Sequence, residues 1–168
     1  MTLLVCPLSQ VEAARALNRP SHMVSLLSPN SPAPNWPQPG GLHLRLAFHD
    51  IAEPTEGLVA PDAEQVAALL DFAAGWDASR PMLVHCWAGV SRSTAAAFII
   101  ACQRAPRRSE AEIAHALRVA APYATPNPLL VALADAALDR EGRMTAAIAA
   151  IGRGAETFEG ALFELPLA

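Results

Sequence analysis

Apolar residues recur along this chain with two different periods, and the switches between them mark out its elements. Leu42, Leu44, Leu46 and Phe48 alternate with His43, Arg45 and Ala47, the period-two pattern of a strand with one buried face. The run "PMLVHC", residues 81–86, is apolar almost throughout, as a strand at the centre of a parallel sheet must be. "TLLVC" and "HMVSLLS" predict two further short strands, the first broken by Pro7. Helical spacing appears in "QVEAARAL", where Val11, Ala14 and Leu17 share a face and Ser9 is placed to cap the first turn. It returns after Asp62, where Val66, Leu69, Leu70 and Ala73 fall on one side. Three more helices are predicted over 92–104, 109–120 and 127–140, punctuated by Pro106 and "APYATPNP". Strands alternating with helices imply an α/β fold: a mostly parallel central sheet of about four or five strands flanked by helices.

Two segments resist either period. Residues 29–41, "PNSPAPNWPQPGG", carry five prolines and a glycine pair, which forbid a helix or a central strand. Residues 49–61, "HDIAEPTEGLVAP", form a second loop. From Gly142 onward the last 27 residues are rich in Ala and Gly and specify little beyond a short helix and a tail packed on the body. The reading is a single domain over 1–168, with 142–168 a weakly specified C-terminal extension.

Composition narrows the function classes. The chain has 168 residues, 52% of them apolar and 17% charged, enough to bury a sizeable core. The net charge is −4 and all 12 basic residues are arginines scattered along the chain, so no basic stripe for nucleic acid is present. No window approaches the roughly 20 apolar residues of a membrane span. Three cysteines in a chain of this length do not make a disulfide framework, and "MTLLVCPLSQ" has no basic segment of a secretory leader. A reduced, cytoplasmic protein is expected, with no nucleic-acid or membrane partner; the oligomeric state is left open.

The chemistry concentrates in "LVHCWAGVSRSTAAAFIIA", residues 83–101. In a parallel sheet the ligand site lies beyond the carboxyl ends of the strands, and "LVHC" delivers Cys86 to that edge. The loop Trp87, Ala88, Gly89, Val90, Ser91 then leads into a helix starting near Arg92. Successive backbone N–H groups, the helix's unsatisfied N-terminus and the planar fork of Arg92 together suit a dianion such as phosphate. The same field favours a thiolate at Cys86, placed for in-line attack on phosphorus. Arg92 and the N–H groups stabilise the equatorial oxygens, so no metal or other cofactor is required. Ser93 can hydrogen-bond the sulfur as it departs, and His85 orients the loop rather than acting as a base. Asp50, after the strand "LRLAF", is the first candidate for general acid and then base. Asp62, Glu53 and Glu56 are its rivals on the same segment, though Asp62 fits a helix cap better. A metal site built from His85 and Cys86 with His43 or His49 lacks ligand spacing.

"HCWAGVSRS" resembles the signature of the cysteine-dependent protein tyrosine phosphatases: His-Cys, five residues with a central glycine, then Arg and Ser or Thr. Asp50 lies 36 residues before Cys86, similar to the acid position of that superfamily, and the "HD" after an apolar strand resembles its dual-specificity branch. "TPNP", residues 125–128, is similar to the branch's Pro-Asn element, which implies that Asn127 supports the loop by hydrogen bonding. The resemblance covers about residues 40–140. It implies a phosphotyrosine phosphatase-like fold and a phosphate-monoester hydrolase, of protein-tyrosine or dual-specificity type, acting through phosphocysteine on a phosphorylated protein or small phosphomonoester. The alternative is an inactive module of the same fold that binds phosphorylated partners. Within the signature only Arg92 is basic, which argues against a multiply charged lipid headgroup.

The remaining residues divide between core and rim. Cys6 and Cys102 are expected in the core, with a Cys6–Cys86 disulfide as the sharper possibility for Cys6. Trp87 is placed either as a pocket wall or in the core. Trp36 is a candidate for the substrate rim. His22, His43 and His115 are read as structural.

Overall fold

A computed structural model describes residues 1–35 and 41–167. Five strands, β1 (Thr2–Pro7), β2 (His22–Leu27), β3 (Leu42–Ala47), β4 (Met82–Cys86) and β5 (Phe163–Pro166), form one sheet in the order β3-β2-β4-β1-β5. The first four are parallel, and β5 pairs antiparallel with β1. β4 lies at the centre and every one of its residues is buried, which is why its sequence has no polar alternation.

Six α-helices are found among the described residues: α1 (Val11–Asn18), α2 (Ala63–Ala74), α3 (Arg92–Arg104), α4 (Glu110–Ala120), α5 (Pro128–Ala137) and α6 (Arg143–Ile151). The main core lies on one face of the sheet, where α3 is buried from Arg92 to Cys102 and packs between β4 and helices α2, α4 and α5. A smaller cluster on the other face joins Leu4, Cys6, Met23 and Leu83 to Val11 and Ala14 of α1.

The helix starts follow side-chain chemistry. Asp62 caps α2 in a reciprocal box with Gln65, so this rival for the acid role is a structural cap. Ser109 and Glu112 do the same for α4. Ser9 is a correction: α1 begins at Val11 without a side-chain cap, and the Ser9 hydroxyl donates to the Glu159 carboxylate of the C-terminal segment instead. A short 3-10 turn at Leu8–Gln10 intervenes and carries Ser9 away from the helix end. The extension from Gly142 contributes both α6 and the edge strand β5, more order than its composition suggested.

Candidate active site

β4 ends at Cys86 on the carboxyl edge of the sheet, and α3 begins six residues later at Arg92. In the connecting loop the carbonyls of Trp87, Ala88, Val90 and Ser91 are each satisfied by a different neighbour. Leu8 N–H donates to Trp87 O at 3.1 Å, Gly160 N–H to Ala88 O at 2.8 Å, and Thr125 N–H to Val90 O at 2.9 Å. Ser91 O accepts from Ala95 N–H and Asn127 N–H. Across a trans peptide the N–H points opposite to the C=O. The N–H groups of Ala88, Gly89, Ser91 and Arg92 are thereby aimed into the loop, and Gly89 N–H lies 3.2 Å from Cys86 Sγ. Gly89 takes φ +72°, and a Cβ there would sit 2.7 Å from Pro7 N, so both the turn and the close approach of β1 demand glycine.

Three polar side chains surround the sulfur and its loop. Ser93 Oγ lies 3.2 Å from Cys86 Sγ and is fully buried. The Arg92 guanidinium is clamped through Nη1, which donates to Phe48 O at 2.8 Å and Ser28 Oγ at 3.1 Å. Its Nε is buried without a hydrogen-bond partner among the described residues. Clamping one amino group leaves the Nε and Nη2 edge as the bidentate fork. Thr94 Oγ1 donates back to Val90 O and Ser91 O, fixing the start of α3.

Asp50 is held at the same edge. Its Oδ1 accepts from Ser91 Oγ at 2.7 Å and from Asn127 Nδ2 at 2.8 Å. Asn127 caps α5 through Oδ1 while its amide also donates to Ile51 O, so one side chain ties the acid loop to the end of the signature loop. Neither Glu53 nor Glu56 makes a contact with the signature loop, and both are exposed. Of the four carboxylates considered from the sequence, Asp50 is therefore the one hydrogen-bonded to the signature loop, through Ser91.

His85 points to the opposite face, away from the loop interior. Nε2 is 2.6 Å from Ser25 Oγ, which is 2.7 Å from His43 Nε2, and Arg45 Nε donates to His43 Nδ1. Burial lowers both histidines to a pKa of about 4, so both rings are neutral near pH 7. With His43 Nδ1 accepting, its Nε2–H donates to Ser25, Ser25 donates to His85 Nε2, and His85 Nδ1–H is left to face Cys86 O at 3.4 Å. His85 thus links Ser25 of β2 to the backbone at the end of β4.

The fold has counterparts among solved structures. The crystal structure of human DUSP28 superposes with a TM-score of 0.61 at 23% identity, covering 83% of this chain and 94% of that one. The crystal structure of DUSP15 gives a TM-score of 0.60 at 19% identity, covering 87% and 89%. That of PTPMT1 in complex with PI(5)P gives 0.59 at 16% identity, covering 87% and 90%. The fold is that of the dual-specificity phosphatases. By sequence, no family model and no curated protein matches the chain.

On this dual-specificity phosphatase fold the predicted residues Cys86, Arg92, Ser93, Asp50 and Asn127 converge, with Trp87–Ser91 forming the loop between them. Trp87 is not in the core: it is 52% exposed and meets Phe158 edge to face at 5.6 Å. The predicted rim residue Trp36 lies outside the described residues. The Cys6–Cys86 disulfide is not supported. Cys6 faces the α1 cluster while Cys86 faces the main core, on opposite sides of adjacent strands, and burial, then the neighbouring Cys86, push the Cys6 thiol up to about 12. Sequence reasoning missed Ser28, Ser25 and the segment 152–160. The first two are single polar residues in or after an apolar strand, a signal that a partner is needed but not which one. Among the described residues, no helix is long and apolar enough to cross a membrane, and no cluster of His, Cys, Asp and Glu is arranged to hold a metal.

Proposed function

We propose that the protein is a phosphate-monoester hydrolase of the cysteine-dependent superfamily, acting on protein phosphotyrosine or with dual specificity. The observation that carries this reading is Arg92: its Nη1 is clamped by Phe48 and Ser28 and its Nε is left unpartnered, beside a loop in which the N–H groups of Ala88, Gly89, Ser91 and Arg92 turn inward. A tetrahedral dianion satisfies those donors together.

In the first step the Cys86 thiolate attacks phosphorus as the bond to the ester oxygen breaks. Asp50 gives its proton to the leaving oxygen from the carboxyl oxygen not engaged by Ser91 and Asn127. The equatorial oxygens are held by the loop N–H groups and the Arg92 fork. In the second step water attacks the phosphocysteine and Asp50 takes its proton. The thiolate leaves toward Ser93 Oγ–H, releasing inorganic phosphate.

A phosphorylated protein is favoured over a phosphoinositide, although PI(5)P is bound in the PTPMT1 structure. A multiply phosphorylated headgroup requires several cations, and Arg92 is the one basic residue of the signature.

Turnover of an aryl phosphate in the presence of EDTA tests the reading. Wild type is expected to release phosphate. Cys86→Ser is expected to abolish turnover while still binding the substrate, and Asp50→Asn to slow poor leaving groups by about two orders of magnitude and good ones far less. A wild-type protein that binds but never hydrolyses the ester would favour the inactive binding module.

A further inference from the structure

A cleft of about 960 Å³ opens beside the catalytic loop, sharing Asp50, Ser91 and Asn127 with it. Its far wall is the segment 152–158 of the C-terminal extension. That wall is fixed: Arg118 donates to the carbonyls of Gly152 and Arg153, Gly154 N–H donates to Thr125 Oγ1, and Ala155 N–H donates to Pro122 O. A phosphate group fills a small fraction of such a volume. The cleft therefore has room for the part of a substrate that adjoins the phosphorylated residue.

Its chemistry is mixed. Val90, Pro126, Ile148 and Phe158 give it apolar surface, and Arg153 lies on the wall with its guanidinium making no hydrogen bond or ion pair among the described residues. Arg118, by contrast, is committed to the extension, and Arg92 holds Phe48 and Ser28 through Nη1. Glu156 stands on the same wall. A single guanidinium without a partner of its own, in a cleft that also holds a carboxylate and apolar surface, suits one singly charged group on a peptide better than a second dianionic phosphate.

Resting on the phosphatase reading above, we propose that this cleft is a peptide subsite and that Arg153 selects phosphopeptides carrying an acidic side chain close to the phosphorylated residue. The apolar wall takes neighbouring side chains and Arg153 pairs with the carboxylate. The pair is partly solvated, so its contribution is modest and falls with salt.

The test uses phosphotyrosyl peptides of one backbone sequence with a single Glu, Gln or phosphoserine at each position from three before to three after the phosphotyrosine. For each protein the ratio of kcat/KM for the Glu peptide to that for its Gln twin is measured. Wild type is expected to give a ratio of roughly three- to tenfold at one or two positions. That ratio should collapse to about one in Arg153→Ala, invert in Arg153→Glu, survive in Arg153→Lys and fade at 0.5 M NaCl. Equal ratios in wild type and Arg153→Ala overturn the proposal, as does an Arg153-dependent preference seen with phosphoserine and not with Glu. If no peptide is hydrolysed by wild type, it is the phosphatase reading that fails; unequal binding of the Glu and Gln peptides to that inactive protein would still have to depend on Arg153.

Discussion

Cys86 Sγ has two hydrogen-bonding neighbours of different character. Gly89 N–H is fixed by the loop backbone, whereas Ser93 Oγ–H can rotate toward the sulfur when charge develops there. A hydrogen bond to a charged group contributes about 1.5–3 kcal/mol, and here it acts chiefly when sulfur is the leaving group. Ser93→Ala is therefore expected to slow breakdown of the phosphocysteine by about one to two orders of magnitude while leaving attack on the ester much less affected. Rapid-mixing assays with an aryl phosphate should show a burst approaching one product per enzyme, followed by the slow steady state. A variant that slows without a burst would show that Ser93 serves the first step. The sulfur, its serine and Arg92 were legible in the sequence because they flank one short loop, at the end of β4 and the start of α3, where spacing fixes their approach. Asp50 was legible as the first candidate among four carboxylates. What the sequence did not show is that the Asn127 amide, 77 residues away in the chain, holds that carboxylate against the loop.

At the scale of elements, the sheet register decides what stands behind the loop. Ser25 of β2 is paired with His85 of β4 on one side and with Arg45 of β3 on the other, and His43 lies two residues back on the same face. No local pattern joins these residues; only the strand order β3-β2-β4 does. The alternation in "LHLRLAF" was visible, but the partner strand for its polar face was not. Because the His85 ring is neutral and buried with a pKa of about 4, against 6.5 in the unfolded chain, the unfolded state binds more protons between these values. Stability is thus full above about pH 6.5 and declines as pH falls toward 4, by about 3 kcal/mol from His85, with His43 acting in the same direction. Denaturant unfolding between pH 7.5 and 4.5 should show this slope. His85→Asn, which keeps an N–H for the Cys86 carbonyl but does not titrate, should flatten it. An equal slope in the variant would assign the acid sensitivity to other groups.

At the scale of the molecule, the C-terminal extension both closes the sheet and braces the catalytic loop. β5 covers the outer edge of β1, and Gly160 N–H takes up the Ala88 carbonyl, so the loop's N–H groups point inward partly because residues 152–160 are seated. The extension was the least legible part of the sequence because its constraints are distant in the chain. Its glycines matter for what they face: a Cβ on Gly154 would lie 2.4 Å from the backbone carbonyl of Tyr123, and one on Gly160 would lie 2.5 Å from the Tyr123 ring. Tyr123 OH in turn donates to Ala161 O at 2.7 Å and accepts from Ala161 N–H at 2.9 Å. Backbone cannot give way as a side chain can, so Gly154→Ala must lift the segment. A loss of about 1–3 kcal/mol is expected, together with a fall in kcat as Ala88 loses its partner. Tyr123→Phe should move both quantities in the same direction by less, about 0.5–1.5 kcal/mol. Gly75→Ala supplies the contrast, since its Cβ would make only ordinary contacts at 3.7 Å and its backbone is helical, so stability should hold or rise slightly. Melting temperature and aryl phosphate turnover, measured together on the three variants, check the coupling. If Gly154→Ala lowered the melting temperature and left kcat at the wild-type value, the extension would stabilise the fold without shaping the catalytic loop.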